Sequence, residues 1–281
     1  MENTSFRFAN IFRIFTTLLF VAVVVFVAYR WKDSSNVYDS LVGESCNVAK
    51  VNLHGSLYTY KLRDPYASEA TSTSNESTTD EASSEEIVNL IEKAKSDQSI
   101  KALVLDVDSP GGSPVAGEEI ANALKRLGKP SVALIRDSGN SAAYWASTGA
   151  DHIVASANSS VGSIGVTASY LDVSKQNESE GVGFEQISIG KFKDAGNPNL
   201  PLSKEAKDLF LKHAEEIYNN FVTTVATNRS LPIETVKAVA DGSDMTGSRA
   251  KDVGLIDEIG DRATVLKYLT TKVGDNITVC W

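Results

Sequence analysis

From Glu86 to Ala155 the chain alternates short apolar runs, bounded by turn residues, with stretches whose apolar positions recur at helical spacing. EIVNLIEKAKSD sets Ile87, Leu90, Ile91 and Ala94 on one helical face. IKALVLDVDS reads as a buried strand ending in the glycine turn PGG, and VAGEEIANALKRL as an amphipathic helix. SVALIRDS is a second strand, AAYWASTGA a small-residue helix, and HIVAS a third strand, followed by SSVGSIGV. Strand and helix repeating at this interval predict an α/β protein with a largely parallel sheet. A long amphipathic helix is expected over 203–228, with Phe210, Ala214, Ile217, Phe221 and Val225 on one face and Ser203 as its N-cap.

Two segments stand outside that pattern. IFTTLLFVAVVVFVAY, residues 14–29, carries no charge and lies between Arg13 and Arg30. As a helix it would rise about 24 Å, slightly less than the roughly 30 Å hydrocarbon core. Phe12, Tyr29 and Trp31 suit the membrane interfaces. No small-x-small cleavage site precedes the basic YRWK flank, so an uncleaved signal anchor is expected rather than a removed signal peptide. Two basic residues on each side leave its orientation a near tie. Residues 64–86 are rich in Ser, Thr, Asp and Glu and nearly lack large aliphatics, which predicts a mobile loop. The expected organisation is an anchor over 1–32, a stalk over 33–46, a folded domain over 47–270 and a tail over 271–281.

Charge and cysteine narrow the function classes. The net charge is −9, yet the first 32 residues carry +3, so the rest is strongly acidic. Such a body argues against a nucleic-acid partner, which demands clustered Lys and Arg. Cys46 and Cys280 form no metal-binding spacing. A disulfide between them would fit an oxidising compartment, but two independent thiols are the simpler expectation.

The residues that suit chemistry are few. Glycines in the DSPGG turn, residues 108–112, let the backbone approach a ligand and point N–H groups at it. The turn lacks the GxxxxGK[ST] signature of a P-loop. Ser141 falls between a strand and a helix start, where exposed N–H groups and the helix dipole favour a nucleophile, although a packing serine would fit equally well. Such a hydroxyl needs a base. Of the three histidines, His54 sits in the first strand, His213 in the long helix, and His152 opens a strand with no acid marked beside it. A neutral lysine can serve instead.

Taken in order, LVLDVDSPGGS, SAAYWASTGAD, VGSIGV, SIGKFKDAGNP and ADGSDMTGSRAKDVGLIDEIG resemble the signal peptide peptidase A family, membrane-anchored serine proteases of the Clp/crotonase superfamily. The resemblance covers roughly residues 47–270. It implies a Clp/crotonase-like spiral of ββα units behind the N-terminal transmembrane helix, with no cofactor or metal. It implies Ser141 as nucleophile, Lys193 as general base and Ser163 as the hydroxyl holding the lysine amine. Lys191 competes with Lys193, which the following Asp194 favours. Gly111 or Gly112 and Ala142 would then offer the oxyanion-hole N–H groups. The family also implies a homo-oligomeric ring, some members sharing each site between subunits, and apolar peptide substrates such as signal-peptide remnants. By the same analogy the catalytic domain is extracytoplasmic. One departure matters: where the family has Gly-Gly after the nucleophile, this chain has Ala142-Ala143. A crotonase-type acyl-CoA enzyme and a non-catalytic membrane-anchored scaffold are the competing readings.

Overall fold

The computed structural model describes residues 46–61 and 81–280. The expected anchor, stalk and most of the acidic segment lie outside the described residues. Among the described residues no helix is long and apolar enough to cross a membrane.

Three parallel strands form the frame: β1 (Val48–Tyr58), β3 (Ala102–Gly112) and β4 (Ser131–Asn140), with β2 (Glu81–Ser83) paired to the end of β1. Each of the three serves two sets of neighbours. The register shifts between His54 and Ser56 in β1, and between Val107 and Ser109 in β3. In β4, residues 132–135 pair with β5 (His152–Ala155), whereas 138–140 pair with β6 (Ser160–Gly162). The first halves continue through β5 to β8 (Glu258–Ile259). The second halves continue through β6 to β7 (Asp244–Thr246), whose antiparallel pairing with β6 makes the sheet mixed. The DSPGG segment is therefore not a turn beyond its strand. It is the second half of β3, redirected by the shift and paired with β1 as far as Leu57–Gly112.

Helices follow the strands in turn: α1 (Ser84–Ser96), α2 (Pro114–Arg126) and α3 (Ala142–Ser147). The Ser83 side chain caps α1, and Ser113 caps α2 ahead of Pro114, satisfying N–H groups that a helix start leaves open. Residues 81–86 of the acidic stretch are thus strand and helix rather than loop. On α1, Ile87, Ile91 and Ala94 are buried, but Leu90 is 46% exposed, because the helix meets the sheet along a narrower stripe than its apolar pattern suggests.

Further on come α4 (Ser174–Ser179), α5 (Lys204–Arg229), α6 (Ile233–Lys237), α7 (Gly247–Asp252) and α8 (Arg262–Val273). One sheet face, with Leu53, Leu103, Leu105 and Ile135, packs under α1 to α3. The other, with Val104, Val132, Leu134 and Val154, packs under Val265 and Leu269 of α8. The C-terminal segment closes the start of β1, since the N–H groups of Asn47 and Val48 donate to Thr278 O at 3.0 and 3.2 Å. Neither cysteine is a free thiol. Cys46 and Cys280 are both disulfide-bonded, which sets aside the expectation of independent thiols.

The long helix runs as expected, one residue further at its C-terminus, with Ser203 Oγ accepting from Ala206 N. Its two halves differ. Phe221, Val222, Val225 and Ala226 are buried in the core, whereas Phe210, Ala214 and Ile217 are only partly covered. Arg229 pins its end: Nη1 and Nη2 donate to the Asp257 carboxylate at 2.9 and 2.6 Å, and Nε donates to Gly254 O.

Candidate active site

β4 ends at Asn140 and α3 begins at Ala142, so Ser141 is the hinge between strand and helix. Its backbone sits at φ 50° and ψ −125°, a region that non-glycine residues rarely occupy and that costs on the order of 1–3 kcal/mol. Such a conformation persists only where the surroundings fix it. Ser141 N donates to Gly162 O at 2.8 Å, and Ser141 O accepts from Trp145 N at 3.0 Å. Behind it, Tyr144 is fully buried and its hydroxyl donates to Leu255 O at 2.8 Å. Burial holds the Tyr144 phenol far above its usual range, so it stays neutral. Trp145 stacks on Phe221 with centroids 4.6 Å apart and planes 8° from parallel. The short helix therefore owes its place to packing rather than to its length.

The glycine segment of β3 lies directly against this hinge. A Cβ on Gly111 would stand 2.7 Å from Asn140 O and from Ser141 Cβ, and 2.9 Å from Ala142 N. Gly111 also has φ +100°, so both space and backbone require glycine. Its N–H donates to Ser109 Oγ at 3.1 Å, and Ser109 Oγ donates to Gly55 O at 2.5 Å. Of the two glycine N–H groups considered from the sequence, that of Gly111 is thus already engaged. Ala142 opens α3, where a helix leaves its first N–H groups without intrahelical partners. The positive φ falls on Ser141 and not on Ala142, so alanine is compatible with the backbone where the resembling family has glycine.

Ser163 follows Gly162, whose carbonyl receives the Ser141 N–H, and has φ 48°. Its Oγ donates to Gly242 O at 3.0 Å and its N–H to Ser243 O at 3.0 Å. Gly111, Ser141, Ala142 and Ser163 are therefore brought to one place. Lys193 is not joined to them: no hydrogen bond links its ammonium to Ser141 or Ser163, and it forms no ion pair among the described residues. It lies exposed in a turn whose N–H donates to Gly190 O at 3.1 Å. Lys191 differs, its Nζ lying 5.1 Å from the centroid of the Phe192 ring.

The serines flanking Ser141 and the nearby histidine are otherwise engaged. Ser147 is buried with its hydroxyl on Ala143 O, and Ser138 Oγ donates to Ser109 O. His152 stacks on Tyr268 and lies 3.4 Å from Glu258 and 3.9 Å from Asp257, which gives it a structural role. Sequence reasoning passed over Asn140, whose carboxamide bridges two strands. Its only signal was its position next to Ser141.

The family model "Peptidase family S49" matches residues 123–275, more than half of the chain, from the last turn of α2 through α8. The chain belongs to peptidase family S49. Among curated relatives, a putative protease of Methanocaldococcus jannaschii is 39% identical over 184 residues, 65% of this chain and 59% of that one. A putative signal peptide peptidase SppA of Enterococcus faecium is 33% identical over 173 residues, 60% of this chain and 50% of that one. The chloroplastic serine protease SPPA of Arabidopsis thaliana is 33% identical over 191 residues, 67% of this chain and 28% of that one. The chain therefore spans less than two thirds of the length of these relatives. A ClpP1 mutant from Listeria monocytogenes superposes at a TM-score of 0.48 and 13% identity, covering 76% of this chain and 92% of that one. That likeness is too partial to define the fold more closely than the strand registers do.

Proposed function

We propose that this S49 chain is a serine endopeptidase in which Ser141 Oγ is the nucleophile and Lys193 Nζ the general base. The observation that carries the reading is Ser141 itself, held at φ 50° at a helix start and faced by a glycine that no side chain could replace. In the reaction, neutral Lys193 takes the hydroxyl proton and Ser141 Oγ bonds to the carbonyl carbon. The developing oxyanion is received by the N–H groups of Ala142 and Gly112, since that of Gly111 is engaged by Ser109. The lysine ammonium then gives its proton to the leaving amine as the C–N bond breaks. Water, deprotonated by the lysine, releases the acyl group from Ser141.

Lys193 reaches this site from a neighbouring copy in an oligomeric ring. Supporting this are its exposed position and the apolar side chains carried uncovered by the same segment, among them Leu171, Phe184, Ile187 and Ile189. Ser163, one residue from the Ser141 partner Gly162, would receive the incoming amine. The substrates are extended apolar peptides such as signal-peptide remnants, and the 14–29 segment anchors the enzyme to the bilayer where these arise. Disulfide-bonded cysteines favour an extracytoplasmic catalytic domain.

The test is cleavage of a fluorogenic apolar peptide by the full chain in detergent, with Ser141→Ala and Lys193→Ala beside it. Both variants are expected to lose activity. Undiminished cleavage by Ser141→Ala would overturn the assignment, and acyl-CoA turnover without peptide cleavage would favour the crotonase-type reading.

A further inference from the structure

We infer that Asn140 is a positioning residue for Ser141, fixing the end of β4 through a hydrogen-bond chain that runs across four strands. The inference rests on the reading of Ser141 as nucleophile and adds to it a device that the S49 family match does not assign.

The Asn140 Nδ2 group donates to Ser160 Oγ at 2.7 Å and to Ser138 Oγ at 3.0 Å. Both hydroxyls have already spent their single protons. Ser160 Oγ donates to the Asp244 carboxylate on β7, and Ser138 Oγ donates to Ser109 O on β3 at 3.2 Å. Each can therefore only accept from residue 140, so the site demands a double donor and the carboxamide cannot flip. Oδ1 is left on the opposite side, buried and without a partner. Retention of such an oxygen one residue from the hinge is explicable if the two donor bonds are what the position is for. The chain also touches the other half of the site, because Ser109 Oγ holds the Gly111 N–H. The Ser141 hinge and the Gly111 strand are thus tied through one set of polar contacts, which runs from β7 through β6 and β4 to β3.

Aspartate keeps the shape of asparagine but cannot donate when ionised. In Asn140→Asp the two hydroxyls would meet an acceptor, and Ser160 would stand between two carboxylates. Exchanging the partners reverses the chain: in the double variant Asn140→Asp/Asp244→Asn, the new amide at 244 donates to Ser160 Oγ, which donates to the new carboxylate at 140. A role limited to filling space predicts no such rescue.

The experiment measures labelling of Ser141 in the full chain by a fluorophosphonate, together with kcat and KM on an apolar peptide and the melting temperature. Asn140→Asp is expected to slow labelling and kcat by roughly 10- to 100-fold with KM nearly unchanged, as a misplaced nucleophile should. The double variant should recover about tenfold of that loss. Wild-type labelling rates in Asn140→Asp, a loss confined to KM, or a double variant no faster than the single would each overturn the inference. If Asn140→Asp does not fold, Ser160→Ala decides: labelling a few-fold slower supports the chain, and an unchanged rate overturns it. Failure of the underlying reading looks different, since wild-type protein would then not be labelled at Ser141 at all.

Discussion

The Ser141 hinge and the segment that carries Lys193 are built on opposite principles. Around Ser141, backbone, ring stacking and buried hydroxyls fix every neighbour. Ala142 to Ala146 are essentially without solvent contact, although the helix has only six residues. Around Lys193 the chain folds on itself in turns, with Ile187 at 90% and Ile189 at 98% exposure. Under the proposed assignment, a lone chain supplies a pre-formed nucleophile and acceptor site but leaves its base on a surface that another copy must cover. In an enzyme of this design, rigidity would belong to the fold and completion to assembly.

The largest effect should come from dividing the two regions between copies. Ser141→Ala and Lys193→Ala should each lower kcat/KM by roughly 10⁴-fold or more. Lys193→Arg should be no better, because a guanidinium stays charged and cannot take a proton. Mixing the two inactive alanine variants before assembly should restore activity to about a quarter of wild type, the share of sites that draw both groups from intact copies. A mixture with no recovered activity would place the pair within one chain and remove the contrast drawn above.

Next in size is Gly111→Ala. The added methyl would press on Asn140 O, Ser141 Cβ and Ala142 N at under 3 Å, at a φ that alanine resists. A loss of about 10²-fold in kcat is expected, with the assembly intact. Near-normal turnover would mean that the glycine serves packing alone. Trp145→Ala should destabilise the fold by about 3–5 kcal/mol, because it removes the stack on Phe221 that anchors the hinge helix to α5.

The Arg229–Asp257 pair gives a smaller and pH-dependent effect. Partial burial raises the Asp257 pKa, but the hydrogen bonds and charge of Arg229, with the Ile153 N–H, outweigh it and hold the carboxyl below its usual value. A depressed carboxyl contributes stability above its unfolded pKa of about 4 and loses it as pH falls through the folded value. Melting temperature should therefore drop in wild type as pH goes below about 4. Asp257→Asn should start about 2 kcal/mol lower and show less of that drop. Parallel acid profiles for the two proteins would show that the pair is inert.

How much of this was legible beforehand follows the same divide. Helical spacing located α1, α2 and α5 because local periodicity reports burial against a sheet, and the strand-to-helix change at Ser141 was legible from the same patterning. Strand redirection at Gly55, Asp108 and Arg136 was not legible, since a register shift depends on the neighbouring strand and not on the strand's own sequence. For the same reason PGG looked like a turn. Leu90 and Phe210 lie on apolar stripes yet are not buried, because periodicity cannot say whether a partner is present for the stripe it marks. The double-donor role of Asn140 needed Ser160 and Asp244, far away in sequence, to be seen beside it. The state of Cys46 and Cys280 likewise depends on ends that only the folded chain relates.

The smallest effect on the fold is also the one that tests the comparison most directly. Ile187→Ser and Ile189→Ser remove side chains that touch almost nothing in a single copy, so the melting temperature of dilute, unassembled protein should move by an amount equivalent to less than about 0.5 kcal/mol. A surface kept apolar without a partner would be an aggregation liability, and its retention is explicable if another copy covers it. The same substitutions should therefore shift sedimentation toward smaller species and lower both the activity recovered in the mixing experiment and the fluorophosphonate labelling of Ser141, whose hydroxyl loses the neighbour's base. Labelling that persisted in the smaller species would show that Ser141 is activated without the neighbour's lysine, and would remove the base from the assembly. If neither moved, the base would have to come from its own chain by a folding of the 163–203 segment back onto Ser141, and the division of labour between fold and assembly would fail.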